Sequence, residues 1–177
     1  QNFNSDFPNG VNYTVGQSHW GKDWDYSQGT ILDPVTGNLN TATWTVNFNL
    51  PNGPTNGAPA SIYFGIAASY AGPVTVKINN TDIAGSGFFP PYSDSDTADQ
   101  AMIRMGSHGI FSDCRINFSS GLLHQGANTV KISMRKGGYF SNMTMYDYVR
   151  LELAGYVPPT PADLSASAGD GVVSLFW

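Results

Sequence analysis

Three large aromatic side chains and four charged or titratable ones fall inside eight residues, His19-Trp20-Gly21-Lys22-Asp23-Trp24-Asp25-Tyr26. Flat aromatic faces stack on the apolar side of a pyranose ring, and planar polar groups beside them bond its hydroxyls. Trp20, Trp24, Asp25 and Tyr26 are therefore candidates for sugar contact. A second role is open to each tryptophan, which can instead plug one end of a β-barrel core. Two further stretches offer the same chemistry. Phe88-Phe89-Pro90-Pro91-Tyr92 leads into the acidic run Ser93 to Gln100, and Arg135, Lys136, Tyr139 and Phe140 lie close together. Tyr92 and Tyr139 carry a polar handle and suit stacking, whereas the phenylalanines suit anchoring their loops. Arg104, His108 and Arg135 supply donors for hydroxyls, and an arginine fork also fits a carboxylate bidentately. Structural hydrogen bonding is the other reading of Arg104 and His108.

Catalysis on glycans needs paired carboxylates, or a base beside a charge-neutralising group, held on rigid elements. The carboxylates that cluster, Asp94, Asp96 and Asp99, lie in a loop-like segment and lack the glycine and distal glutamate of an EF-hand. Neither Gly-x-Ser-x-Gly nor His-Glu-x-x-His occurs, and there are three histidines. The sequence points to binding rather than reaction.

These loops need a scaffold, and the composition bounds it. The 177 residues, 41% of them hydrophobic, suffice for one core of roughly 150 residues and an appendage. Charged residues make up 12%, with thirteen acids against eight bases and a net charge of −5. Such a surface suits neutral ligands and argues against nucleic acid, whose binding draws on clustered Lys and Arg. No run approaches the roughly 20 apolar residues of a membrane span. Cys114, the single cysteine, excludes an intrachain disulfide and reads as a small core residue. Sequons at Asn12, Asn79, Asn117 and Asn142 are permissive for secretion but arise by chance in an Asn- and Thr-rich chain.

Period-two alternation is the dominant pattern. Thr43 to Leu50 alternates without fault, with Trp44, Val46, Phe48 and Leu50 on one face. Further strands are expected over Ser61 to Ala67, Val74 to Ile78, Asp113 to Phe118, Thr129 to Met134 and Tyr146 to Leu153, with Trp44, Phe48, Ile62, Phe64, Val76, Ile78, Ile116, Val130, Ile132, Val149 and Leu151 inside. No stretch has a helical period. Strands punctuated by Gly, Pro and Asn clusters predict an all-β, antiparallel β-sandwich of the jelly-roll type. Three connections, Gly16 to Gly29, Gly85 to Ser112 and Lys136 to Met143, are too long or too aromatic for simple turns, and such loops are usually functional.

Three segments, Ala101-Met102-Ile103-Arg104-Met105-Gly106-Ser107-His108-Gly109, Leu122-Leu123 with Gly126-Ala127-Asn128-Thr129-Val130, and Met145-Tyr146-Asp147-Tyr148-Val149-Arg150-Leu151-Glu152-Leu153, resemble the C-terminal module of family 4 rhamnogalacturonan lyases. The resemblance spans roughly residues 14 to 154. It implies a galactose-binding-like jelly roll, non-catalytic and carbohydrate-binding, in a secreted, extracellular polysaccharide-degrading enzyme, with a pectic backbone of rhamnose and galacturonate as the favoured glycan. The alternatives are a structural or protein-interaction β module of such an enzyme, and an intrinsic lyase or hydrolase activity.

The expected organisation is an N-terminal arm over 1–13, the jelly roll over 14–154, a proline-rich linker over 155–161 and, over 162–177, a segment that resembles the first hairpin of a fibronectin type III domain. In the family that domain precedes the binding module, whereas here the similar segment follows it, which leaves the parent enzyme open. Its partners are a polysaccharide or oligosaccharide and further domains of a longer parent chain.

Strand register also singles out Asp147. Val149, Leu151 and Leu153 share one face, so a regular strand turns Asp147 inward with them. A buried carboxylate needs backbone N–H groups, a cation or a metal. Related jelly-roll binding modules commonly carry a structural calcium near this end of the last strand. The resemblance thus implies a Ca2+ held by Asp147 with carbonyls and carboxylates of the N-terminal segment, the alternative being an Asp that caps neighbouring N–H groups.

Overall fold

Alternation over Thr43–Leu50 translates into strand β5, whose inward Trp44 is fully buried. The computed structural model describes residues 6–33, 35–70, 74–83, 112–134 and 143–157, and the backbone of 165–168 and 173–176. Numbered along the chain, one sheet runs β1 (Val11–Thr14), β5, β10 (Gly126–Met134), β7 (Val74–Ile78) and β8 (Thr81–Asp82). The facing sheet runs β2 (Ser27–Gly29), β11 (Met143–Leu153), β6 (Pro59–Tyr70) and β9 (Ser112–Ser119). Between β2 and β5, β3 (Ile31–Leu32) pairs with β4 (Leu39–Asn40), and near the C-terminus β12 (Ser165–Ala168) pairs with β13 (Val173–Phe176). Helix among the described residues is confined to short turns, including α1 (Trp20–Asp23), so the all-β sandwich stands. No described helix is long and apolar enough to cross a membrane.

The inner faces meet in one core. Trp44, Val76, Ile78, Val130 and Ile132 from the first sheet pack with Ile62, Phe64, Ile66 and Tyr146 from the second, and Phe48, Ile116, Val149 and Leu151 lie partly buried against them. Each fully buried Ile or Phe contributes about 1.5–3 kcal/mol. Cys114 is part-buried on β9, and burial, with the charge of Asp113, pushes its thiol above the ordinary range.

Three expectations change in detail. The N-terminal arm does not extend to residue 13, because Val11 is buried and Val11–Thr14 pairs with Trp44 to Asn47. That pairing is parallel, so the sandwich is not antiparallel throughout; the connection from β1 to β5 is long enough for the crossover a parallel pair requires. The segment Gly16 to Gly29 is also not wholly loop, since it contains α1 and β2. The start of the expected linker lies against the turn after β5, where Asn52 Nδ2 donates to Val157 O at 2.9 Å and Thr55 Oγ1 to Gly155 O at 3.2 Å.

Polar side chains lock the sandwich where apolar ones cannot. Gln28 on β2 is completely buried. Its Nε2 donates to Ala42 O (3.0 Å) and Ile132 O (2.9 Å), and its Oε1 accepts from Tyr146 Oη (2.7 Å). One side chain thereby ties the edge strand of one sheet to the centre of the other. At the opposite end Asn79 and Asn80 take φ of 46° and 71° and turn β7 into β8, a two-residue hairpin of the I′ kind. The Asn79 carboxamide bonds Leu122 O, Asn128 Oδ1 and Thr129 N, each at 2.8 Å, so this sequon's side chain is used internally.

Candidate functional site

Helix α1 sets the fate of the two tryptophans. His19 caps it, with Nδ1 accepting from Gly21 N at 3.1 Å, while Asp23 Oδ2 accepts from His19 N at 2.7 Å. The reciprocal pair holds a turn too short to persist alone. Trp20, its first residue, points out and is 75% exposed, with the His19 ring stacked on it at 5.9 Å. Trp24 follows the helix in extended backbone and turns in, edge-on to Tyr13 of β1 at 5.8 Å and 84°. Of the two roles open to each, Trp20 takes the surface and Trp24 packs against the core. Tyr26 is 54% exposed.

Asp25 does not join them at the surface. It is 4% exposed, its Oδ1 accepts from Ser27 N at 2.8 Å, and its carbonyl accepts from the Trp44 indole at 2.8 Å. Burial raises its carboxyl above the ordinary value, outweighing the Ser27 N–H, and the nearby Asp6 charge adds to the rise. Asp25 sets the turn into β2 and holds the core tryptophan rather than a ligand.

Asp147 is also misplaced by the regular-strand expectation, and the cause is local. On β11, Tyr146 pairs with Ile66 and Tyr148 with Gly65, so the ladder slips on both sides of Tyr146, and Asp147, within the second slip, has no opposite residue. A one-residue bulge reverses the face of everything on one side of it. Tyr146 is accordingly buried, Asp147 and Tyr148 are exposed, and Val149 turns back to the core. Among the described residues no hydrogen bond or ion pair engages the Asp147 carboxylate, and no group of three or more His, Cys, Asp and Glu converges to hold a metal. The burial that called for a cation is absent, and residues 1–5 of the N-terminal segment expected to share it lie outside the described residues.

α1 and the bulge stand at the mouth of one cleft of about 1040 Å³. Its inner wall is apolar, made by Val46 and Phe48 of β5 and Val149 and Leu151 of β11. Trp20, Trp24, Tyr26, Tyr148 and Asp147 line it nearer solvent. Aromatic faces around an apolar trough with a few hydroxyls and one carboxylate can hold a ring that is apolar on one side and hydroxylated at its edge.

A second aromatic group, outside the aromatic loops, lies on the outer face of the second sheet. Tyr63 on β6 and Tyr148 on β11 stack at 5.7 Å and 12°. Gly65 makes this fit, because a Cβ there would come within 2.7 Å of the Tyr148 ring. The Arg150 and Arg115 guanidinium carbons sit 4.9 and 5.4 Å from the Tyr63 ring centroid. Glu152 bridges both arginines, at 2.5 Å to Arg150 and 3.0 Å to Arg115, and Tyr63 Oη donates to Asp113. Tyr148, Arg150 and Glu152 alternate along β11 and so share one face; the cross-strand partners carry no signal in the sequence.

Tyr92, Arg104, His108, Arg135 and Tyr139 lie outside the described residues. Among sequence families, the model described as CBM-like, polysaccharide lyase family 4, domain III, matches residues 1–151. No curated protein matches the chain.

Proposed function

We infer the role of this molecule from its family: the chain belongs to the CBM-like domain III of polysaccharide lyase family 4, and its cleft is the binding surface of a non-catalytic carbohydrate-binding module. The observation that carries the reading is Trp20, a large indole held out at 75% exposure beside an apolar trough. An exposed indole continuous with an apolar trough makes a patch of the kind that marks a ligand-binding groove. The pyranose ring lies on the indole, Tyr26 and Tyr148 extend the stacking surface, and the phenolic hydroxyls bond the ring's edge. Asp147 alone among the described cleft-lining residues is charged, so no pair of carboxylates converges among them as acid and base. The ligand is a plant cell-wall polysaccharide, with rhamnogalacturonan first in line, and the module serves a secreted polysaccharide-degrading parent.

The test is calorimetry or affinity electrophoresis against pectic, xylan and cellulose panels. Trp20→Ala should weaken the glycan that binds by about 1–3 kcal/mol, by analogy with a nucleic-acid base stacked on an aromatic, and leave the melting temperature unchanged. Absence of binding throughout the panel refutes the reading, and an unchanged affinity in Trp20→Ala moves the site elsewhere.

A further inference from the structure

We propose that His19 is the positioning residue of Trp20: its neutral imidazole holds the one-turn helix that presents the indole, so the stacking surface is set at neutral pH and released when the imidazole takes up a proton. This rests on the carbohydrate reading above and adds the regulation of that site. Trp20 is the first residue of α1 and, at 75% exposure, takes its direction mainly from the helix backbone. A four-residue helix does not persist alone. His19 supports it in two ways: Nδ1 accepts from Gly21 N at 3.1 Å, and the imidazole stacks on the indole at 5.9 Å and 20°. Gly21 makes room for this arrangement, because a Cβ there would stand 3.2 Å from Cε1 and 3.3 Å from Nδ1 of His19.

The chemistry of the acceptor makes the cap conditional. A ring nitrogen that accepts a hydrogen bond carries no proton, so this geometry belongs to the neutral imidazole with its proton on Nε2. Proton uptake puts an N–H on Nδ1 against the Gly21 N–H. Two donors then face each other, and the ring must swing off its cap and out of its stack on the indole. Asp23 Oδ2 keeps its bond from His19 N, but the Gly21 donor is left open. Among the described residues, the charged groups of α1 are Lys22 and Asp23, β1 packed against it brings Tyr13 as its titratable side chain, and Asp147 stands with α1 at the cleft mouth. Asparagine, aspartate and serine are the residues helix N-termini prefer. A histidine in their place makes the cap responsive between about pH 5 and 8, where imidazoles change charge.

The experiment follows rhamnogalacturonan binding by calorimetry on the full chain from about pH 5 to 8; if another member of the pectic, xylan and cellulose panel binds instead, that polysaccharide is the probe. The parent should bind roughly fivefold more weakly at the acid end, the worth of one helix cap. His19→Asn, which caps without titrating, should keep the neutral-pH affinity across the range, and His19→Ala should be weak and flat throughout. By NMR the Gly21 amide should shift over the same range in the parent and stay still in His19→Asn. A flat parent profile, a His19→Asn profile that falls as the parent's does, or an asparagine variant no stronger than the alanine one overturns the positioning role and leaves the carbohydrate reading in place. A lowered melting temperature in His19→Ala with the parent's affinity and profile would make the residue structural only, and overturns the role as well. Binding of no member of the panel overturns both.

Discussion

The molecule carries two groups of exposed aromatics on adjoining surfaces, and they differ in what their polar neighbours are doing. On the outer face of the second sheet Tyr63 and Tyr148 are stacked, the arginines share Glu152, and the Tyr63 hydroxyl is spent on Asp113. At the cleft mouth Trp20 stands out on a one-turn helix and Asp147 faces solvent without a partner among the described residues. Aromatic content is therefore a poor guide to a binding surface. A group already satisfied within the fold has nothing left to offer a ligand, and its removal should be felt in stability. An unsatisfied group should be felt in binding.

The largest expected effect lies beneath both groups. Gln28→Leu removes the bonds to Ala42 O, which keeps that from Met134 N, and to Ile132 O, and strips the buried Tyr146 hydroxyl of its acceptor, and should cost roughly 2–4 kcal/mol in urea unfolding. A loss under about 1 kcal/mol would mean that the two sheets do not depend on this side chain. Next comes Tyr148, the residue the two groups share, since it both stacks on Tyr63 and lines the cleft. Tyr148→Ala should lower stability by about 1 kcal/mol, the worth of an aromatic pair, and should weaken glycan binding several-fold. An effect on one readout alone would assign the tyrosine to a single group and sharpen the contrast.

The smallest effect is in pH. For Glu152, partial burial raises the carboxyl, but the Arg150 hydrogen bond and the charges of Arg115 and Arg150 prevail and hold it below the usual range. Its contribution is thus complete above the ordinary glutamate value and is lost as pH falls through the lower folded one. For Asp25, burial leads and the folded value lies above the ordinary one. Stability from that residue falls as pH rises from the ordinary aspartate value through the raised one. Melting curves from about pH 3 to 7 should show Glu152→Gln losing ground to the parent as pH rises and Asp25→Asn gaining it. The same sign for both would contradict the contrast between the ion-paired and the desolvated carboxylate.

Legibility in the sequence followed the physics of each element. β5 could be read residue by residue because it is long, half-buried and alternating, and Trp44, Ile62, Phe64 and Ile132 are inside as the pattern required. β2 could not. Ser27-Gln28-Gly29 has no apolar periodicity, and its buried member is a glutamine whose partners lie on other strands. Asp147 was misread for a different reason. Period-two reasoning assumes an unbroken ladder, and one inserted residue turns every face after it. Trp20, Trp24 and Tyr26 were found by residue type and spacing, yet which tryptophan would face solvent depended on where a four-residue helix stops. The Tyr63 and Tyr148 stack became visible only once Gly65 was opposite Tyr148.

The glutamine clamp also orders events in time. Gln28 bonds to Ile132 across 104 positions and to Tyr146 across 118, and β2 finds its neighbour only in β11. Chains emerge at about 5–20 residues per second, so β2 waits for seconds with its backbone groups in water, while β5 must wait similarly for β10. Pairings of such long range close large loops before they are rewarded, which places this sandwich among the slow folders. The clamp cannot close before Tyr146 has been made, and its formation joins the two sheets and the cleft between them.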